Sequence, residues 1–257
     1  GRSRAVIVDA HVHIGKTVHH FERLEVTADD LLREMDTHGV DMAVLCPAGA
    51  DLAVNNRQGN NLVAAAVRAH PDRFLGLGTA NPWYGEEALA ELDYAIHTLG
   101  LSGFKFHSLV QGFHLNDPLL VYSLVEKAID LDVPVYFHCG TPIMAMPYKI
   151  QDLVQLYPQA KLIMGHRGWD YHFDVIYVEQ NCPGLWIETS KCEYVNLEHS
   201  YGQGNVDRLL YGSDYPISSM ASELSKVRLL AGLTSENESA ILGRNCLRLF
   251  GLEKHAG

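Results

Sequence analysis

The chain has 257 residues, 47% of them hydrophobic, enough to bury a large core as one α/β barrel or as two domains. Its 31 acidic against 20 basic residues give a formal charge of -11, which argues against nucleic-acid and anionic-membrane binding but leaves anionic small molecules open to a locally basic pocket. Five scattered cysteines, none in a C-x-x-C pair, read as reduced thiols of a cytoplasmic protein; the start "GRSRAVIVDA" is too briefly apolar for a signal peptide, and no stretch is long enough to span a bilayer.

Short apolar strands alternate with amphipathic helices along the whole chain. The first strand, "AVIVDA", runs into "VDAHVHIG", where His11 and His13 share one face because strand side chains alternate. His19 and His20 follow in a segment that reads as solvated loop. "TADDLLREMDTHG" is a helix, with Thr27 placed to cap it and Gly39 to end it. Then come the strands "MAVLCP", "FLGLGT" and "GFKFH". The helix "NDPLLVYSLVEKAIDLD" has Asp117 placed to cap and Pro118 at its first position. The strands "PVYFHCG", "AKLIMGH", "LWIETS" and "RLLYGSD" follow, and "SENESAILGRNCLRLFG" closes the chain with Ser235 and Glu238 at capping-box spacing. No composition shift or low-complexity linker marks a boundary, so residues 1–257 read as one domain. Eight βα units in about 250 residues predict a (β/α)8 TIM barrel. The alternative, an open doubly wound sheet, lacks a G-x-G-x-x-G or P-loop after its first strand.

Barrel chemistry sits at the C-terminal ends of the strands. Those ends carry His11 and His13, then Lys105 and His107 in "GFKFH", then His138, His166, Glu188 and Asp214. In "GFKFH" the phenylalanines suit the layer under the helices, which turns Lys105 and His107 toward the lumen. Taken singly, each residue has an ordinary reading: a bonded structural histidine, an ion-paired lysine, a turn aspartate in "GSDYP". Their concentration on one rim favours a metal-assisted active site. Cys139 alternates with His138 and reads as packing.

The segments "VDAHVH", "NNLVAAAVRAHPDRFLGLG", "GFKFH", "VPVYFHCG", "LIMGHRG", "LLYGSDYP" and "ILGRNCLRLFGL" resemble the amidohydrolase superfamily. The likeness is to the amidohydrolase-related group that includes aminocarboxymuconate-semialdehyde decarboxylase and its metal-dependent hydrolase relatives. The resemblance implies a metal-dependent barrel with one divalent ion held by His11, His13, His138 and Asp214, with His166 assisting the chemistry. Three imidazoles and a carboxylate suit Zn²⁺ first, and Mn²⁺, Co²⁺, Ni²⁺ or Fe²⁺ fit the same ligands.

In this reading Asp214 is the general acid–base and His166 polarises a carbonyl or stabilises developing negative charge. Lys105, His107, Arg167 and Trp169 are candidates for binding the substrate, Lys105 as an ammonium that holds an anionic group. In two-metal members of the superfamily a carboxylated lysine stands on this strand; here one metal is favoured. Asp9, deeper on the face of His11, either orients a ligand imidazole or bonds backbone.

The expected activity is hydrolysis of an amide, lactone or ester bond of a small carboxylated molecule through metal-activated water. The alternative is non-oxidative decarboxylation of a small unsaturated or aromatic acid with the same ligands. A metal-binding barrel without catalysis is the third reading. A homodimer is expected because closed symmetric dimers are the commonest assembly.

Overall fold

The computed structural model describes residues 4–253, so both ends of the domain expected over 1–257, including the first three residues of "GRSRAVIVDA", lie outside the described residues. Among the described residues nine strands form one sheet: β1 (Val8–His19), β2 (Glu22–Val26), β3 (Met42–Pro47), β4 (Phe74–Gly78), β5 (Gly103–Phe106), β6 (Val135–Phe137), β7 (Leu162–Met164), β8 (Trp186–Glu188) and β9 (Leu209–Leu210). Their order is β2-β1-β3-β4-β5-β6-β7-β8-β9. Every pair is parallel except β1–β2. The residues after β9 then run beside β1: Ala10 donates to the Tyr211 carbonyl at 2.9 Å, Asp214 to His11 at 2.8 Å, and His13 to Tyr215 at 2.8 Å. These bonds curl the sheet shut, giving the TIM barrel that eight βα repeats demand. All eight strands read from the sequence lie in it.

Strand alternation sorts the side chains into two cores. Val8, Ala10, Val44, Cys46, Leu77, Tyr136, Ile163 and Leu210 fill the lumen, and Leu247 and Leu249 of the last helix pack on the same cluster. Phe104, Phe106 and Phe137 belong to the larger cluster between sheet and helices. Lys105 is thereby turned inward, as its parity in "GFKFH" requires, and is fully buried.

Helix ends follow local chemistry, with two shifts. Helix Ala28–His38 has the expected cap: Thr27 Oγ1 accepts from Asp30 N at 3.2 Å, Asp30 returns the bond, and Gly39 sits at φ 70°. Asp117 instead closes a turn, accepting from Leu119 N at 2.8 Å and Leu120 N at 3.1 Å, and the helix begins only at Tyr122. At the last helical segment Thr234, not Ser235, accepts the capping bond, from Asn237 N at 3.1 Å. Among the described residues no helix is long and apolar enough to cross a membrane.

The segment read as loop around His19 and His20 is a β-hairpin. β1 continues to His19 and pairs with β2 in the register Gly15↔Val26 to His19↔Glu22. The two turn residues, His20 and Phe21, both have positive φ, 47° and 68°. Such a turn is ordinarily announced by Asn-Gly or Gly-Gly, and His-Phe carries no such signal.

Candidate active site

The floor of the site is set by β1 and the residues after β9. His11 Nε2 lies 3.1 Å and His13 Nε2 3.2 Å from the same oxygen, Asp214 Oδ1. His13 Nδ1 lies 3.0 Å from the Pro47 carbonyl. A carbonyl only accepts, so Nδ1 holds the hydrogen and Nε2 is left to face Asp214. Lys105 Nζ stands 3.5 Å from His11 Nε2 and 3.8 Å from the centre of the Tyr136 ring, which also lies against the His11 ring. Cys46 Sγ is 3.4 Å from His13 Nδ1.

Burial governs the ionisation of this floor. It holds His11 and His107 well below the ordinary imidazole range, with Lys105 adding to the effect, and His138 likewise, with His107 adding. It brings His166 down to about 3 against the opposing charge of Asp214. It also lowers Lys105. At Asp214 burial pushes upward, but hydrogen bonds from His11 and His13 outweigh it and hold the carboxyl well below its usual range. Burial opposes a charge on His13 too; Cys46 and Asp214 overcome it and push the imidazole up to about 10. His11 can meet Asp214 as a neutral Nε2–H donor, whereas His13, whose Nδ1 already holds a hydrogen, faces the carboxylate favourably only with a second proton on Nε2 or with a metal cation between them. His11, His166 and Asp214 place donor atoms within 4.8 Å of one another, as do His11, His13 and Cys46. His11 and His138 are neutral and Asp214 is ionised, and with the proton on His13 displaced these groups form the kind of donor set a divalent ion requires.

The loops after β7, β8 and β9 bring in the remaining groups, and they do so in left-handed backbone: His166 (φ 55°), Arg167 (45°), Trp169 (46°), Lys191 (62°) and Asp214 (55°). His166 Nδ1 lies 2.9 Å from Ser190 Oγ. Lys191 Nζ is 4.2 Å above the Trp169 ring and 4.0 Å from Asp214 Oδ2. Above this floor opens a cavity of about 1060 Å³, roomy for a small organic acid. His107, His138 and Trp169 line it with the floor residues, and the β1–β2 hairpin supplies a wall of Lys16, Thr17, Val18, Arg23, Leu24 and Glu25.

The structure thus brings His11, His13, Lys105, His107, His138, His166, Trp169 and Asp214 to one cavity. His138 turns its Nε2 to Thr141 Oγ1 at 2.6 Å and stacks its ring on His107 at 3.7 Å between centres. Asp9 takes the backbone role: its Oδ1 accepts from His11 N at 3.1 Å and Ser213 N at 2.9 Å.

Arg167 does not reach the cavity, which corrects its assignment to substrate. Its fully buried guanidinium bonds Glu179 at 3.0 Å and Ser200, behind the barrel wall. It follows His166 in the chain, and the left-handed turn sends the two side chains apart. Removing one member of a buried ion pair strands the other, at about 3–5 kcal/mol. Arg167→Met is therefore expected to lower the melting temperature in calorimetry while leaving KM of the surviving enzyme unchanged; a raised KM at unchanged melting temperature would restore the substrate role.

Four contributors were missed. Tyr136 shares strand parity with His138, so "PVYFHCG" held the signal. Cys46, at the end of "MAVLCP", reads in the sequence as an ordinary reduced thiol. Lys191 and Ser190 lie beyond the strand end in "ETSK", where alternation no longer applies.

Several known proteins resemble this chain in sequence or in fold. The 2-amino-3-carboxymuconate-6-semialdehyde decarboxylase of Dictyostelium discoideum is 24% identical over 76% of this chain and 66% of its own length, so the match spans just under two thirds of that relative. The gamma-resorcylate decarboxylase of Rhizobium radiobacter is 24% identical over 90% of this chain and 89% of its own. The 5-carboxyvanillate decarboxylase of Novosphingobium aromaticivorans, solved with manganese and 4-hydroxy-3-methoxy-5-nitrobenzoic acid, superposes with a TM-score of 0.79 at 15% identity, covering 98% of this chain and 97% of that one. Residues 8–252, from the start of β1 to past the last helix, match the family described as Amidohydrolase, and the chain belongs to that family.

Proposed function

We propose that this protein is a metal-dependent, non-oxidative decarboxylase of a small aromatic or unsaturated carboxylic acid. The observation that carries the reading is the cavity floor, where the fully buried Lys105 stands beside the converging His11, His13 and Asp214. The hydrolysis favoured by the sequence gives way to its alternative, because the relatives that align along the chain are decarboxylases.

His11, His13 and Asp214, with His138 in the same proposed set, hold one divalent ion. The manganese in the 5-carboxyvanillate decarboxylase supports Mn²⁺ beside the Zn²⁺ suggested by the ligand types. Bound there, such an ion would supply positive charge close to the reacting carboxylate and would lower the cost of the electron pair left as CO₂ departs.

The chain's own residues do the rest. Lys105 pairs with an anionic group of the substrate, and Trp169 offers a flat face on which an aromatic or conjugated acid can stack. His107 and the hairpin wall confine it. Breaking the bond to CO₂ leaves an electron pair on carbon, and one proton must arrive there, so that R–COO⁻ and H⁺ become R–H and CO₂. Asp214 and Glu25 are the carboxyl groups on the cavity wall, and Glu25 lies on the exposed hairpin. Asp214, ionised on the cavity floor, is assigned the relay of that proton from water.

The test is a panel assay on protein stripped by chelator and reloaded with Mn²⁺ or Zn²⁺. Hydroxybenzoates, carboxyvanillate and unsaturated amino dicarboxylates are incubated in D₂O beside lactones and amides. The expected result is CO₂ release with one deuterium on the carbon that bore the carboxylate, lost when the metal is removed. Ring opening or amide cleavage without CO₂ would return the hydrolytic reading, and metal binding with no turnover of either set would favour a barrel without catalysis.

A further inference from the structure

Behind His166 lies a buried unit that the reaction above does not use. Glu188, at the end of β8, is fully buried and accepts four hydrogen bonds: from Tyr136 Oη at 2.7 Å, His166 N at 3.1 Å, Ser190 N at 2.6 Å and Ser190 Oγ at 3.0 Å. Two residues on, Ser190 Oγ lies 2.9 Å and the Ser190 carbonyl 3.3 Å from His166 Nδ1. We infer that Ser190 and Glu188 are positioning residues that fix His166 as its Nδ1–H tautomer, so that Nε2 presents an electron pair to the cavity.

The direction of each bond follows from what each group can do. The Ser190 carbonyl only accepts, so a hydrogen on His166 Nδ1 is required there. Glu188 faces donors on all sides, and its carboxylate takes the hydroxyl hydrogen of Ser190 as well. That leaves an oxygen lone pair of Ser190 turned to His166, which again asks for hydrogen on Nδ1. Both contacts agree, and a neutral imidazole with hydrogen on Nδ1 has none on Nε2. Glu188 also holds the His166 backbone amide, so one carboxylate fixes the left-handed main chain and, through Ser190, the ring.

The packing keeps the carboxylate in place. A Cβ at Gly212 would stand 2.2 Å from Glu188 Oε1, and one at Gly165 would stand 2.6 Å from Tyr136 Oη, so glycine at these two positions is what lets acid and phenol meet. The ring of that phenol is the surface against which Lys105 and His11 lie.

The consequence revises the role read from the sequence. A histidine that polarises a carbonyl must donate from the ring atom facing the substrate, and His166 faces the cavity with a lone pair instead. It accepts a hydrogen bond there, from a substrate hydroxyl or amine or from water. Only this last step rests on the proposed decarboxylation; the tautomer stands without it.

The experiment is ¹⁵N NMR of histidine-labelled, zinc-loaded protein, with His166 assigned by its loss in His166→Gln. Wild type should show a protonated Nδ1 and an unprotonated Nε2 at His166. In Glu188→Gln the side-chain amide can donate to Ser190 Oγ, whose hydrogen then turns to Nδ1, so signal should move toward the Nε2–H form. Ser190→Ala should mix the two tautomers, and Ser190→Thr, which keeps the hydroxyl, should restore the wild-type pattern. With a turned-over acid in hand, kcat of Ser190→Ala should fall about 10–100-fold with KM little changed, again rescued by Ser190→Thr. If Glu188→Gln does not fold, the Ser190 pair carries the test. An Nε2–H form in wild type, or an unchanged tautomer with unchanged kcat in Ser190→Ala, would overturn the inference. Failure to find CO₂ release from any acid would overturn the proposed function alone.

Discussion

Metal-replete Asp214→Asn should lose about 10²–10⁴ in kcat for CO₂ release, the usual worth of a general acid–base. Asparagine keeps the shape of aspartate and one oxygen for a cation, but it has no useful basicity near neutral pH and carries no transferable acidic proton. The present geometry makes the comparison clean, because Oδ1 is the atom that meets His11 and His13 while Oδ2 is turned to Lys191. An amide oxygen at Oδ1 preserves the first set of contacts. Metal content is measured in parallel by elemental analysis. A metal-loaded Asp214→Asn enzyme that releases CO₂ near the wild-type rate would remove Asp214 from the proton path and leave it as a ligand only.

Replacing His11 and His13 together with alanine should take bound metal from about one ion per chain to none. His11 is buried, His13 is partly so, and both meet on one carboxylate oxygen, so deleting both removes two ligand nitrogens and leaves Asp214 facing the lysines. Their loss also removes the stabilisation that a bound ion lends the folded state, so the melting temperature of the variant should stop responding to added Mn²⁺ or Zn²⁺. Calorimetry with and without metal reads this directly. Full metal content in the double variant would refute the ligand set, and a wild-type stoichiometry near two would bring back a carboxylated Lys105.

What could be read from the sequence divides along the periodicity of the backbone. Strands have a period of two, so "GFKFH" alone places Lys105 in the lumen, and "VDAHVH" places His11 beside His13 on one face. Barrel closure, which carries Asp214 to those histidines, follows once eight βα repeats are counted. Beyond the strand ends the period disappears. Arg167 adjoins His166 in the chain, yet left-handed backbone sends it to Glu179 behind the wall, and no alternation rule foretells that. Lys191 and Ser190 were hidden for the same reason. The hairpin was hidden by its turn, since His20 and Phe21 adopt positive φ without the glycine or asparagine that usually announces it. The ligand set came from family resemblance, and the choice between hydrolysis and decarboxylation came from neither period nor spacing, because both reactions call on the same side chains.

The left-handed residues of the three loops carry a further consequence, for how far this protein can be made more stable. His166, Arg167, Trp169, Lys191 and Asp214 each bear a side chain where glycine is at ease. At roughly 1–2 kcal/mol apiece, the strain is on the order of 5–10 kcal/mol together, comparable with the whole net stability of an ordinary domain, about 5–15 kcal/mol. The barrel core must therefore be robust enough to offset it. Random selection for heat resistance should drift toward glycine or asparagine at these positions, and every such gain would erase a group that lines or braces the cavity. Engineering for durability belongs on the helical shell, where tighter packing leaves these loops untouched.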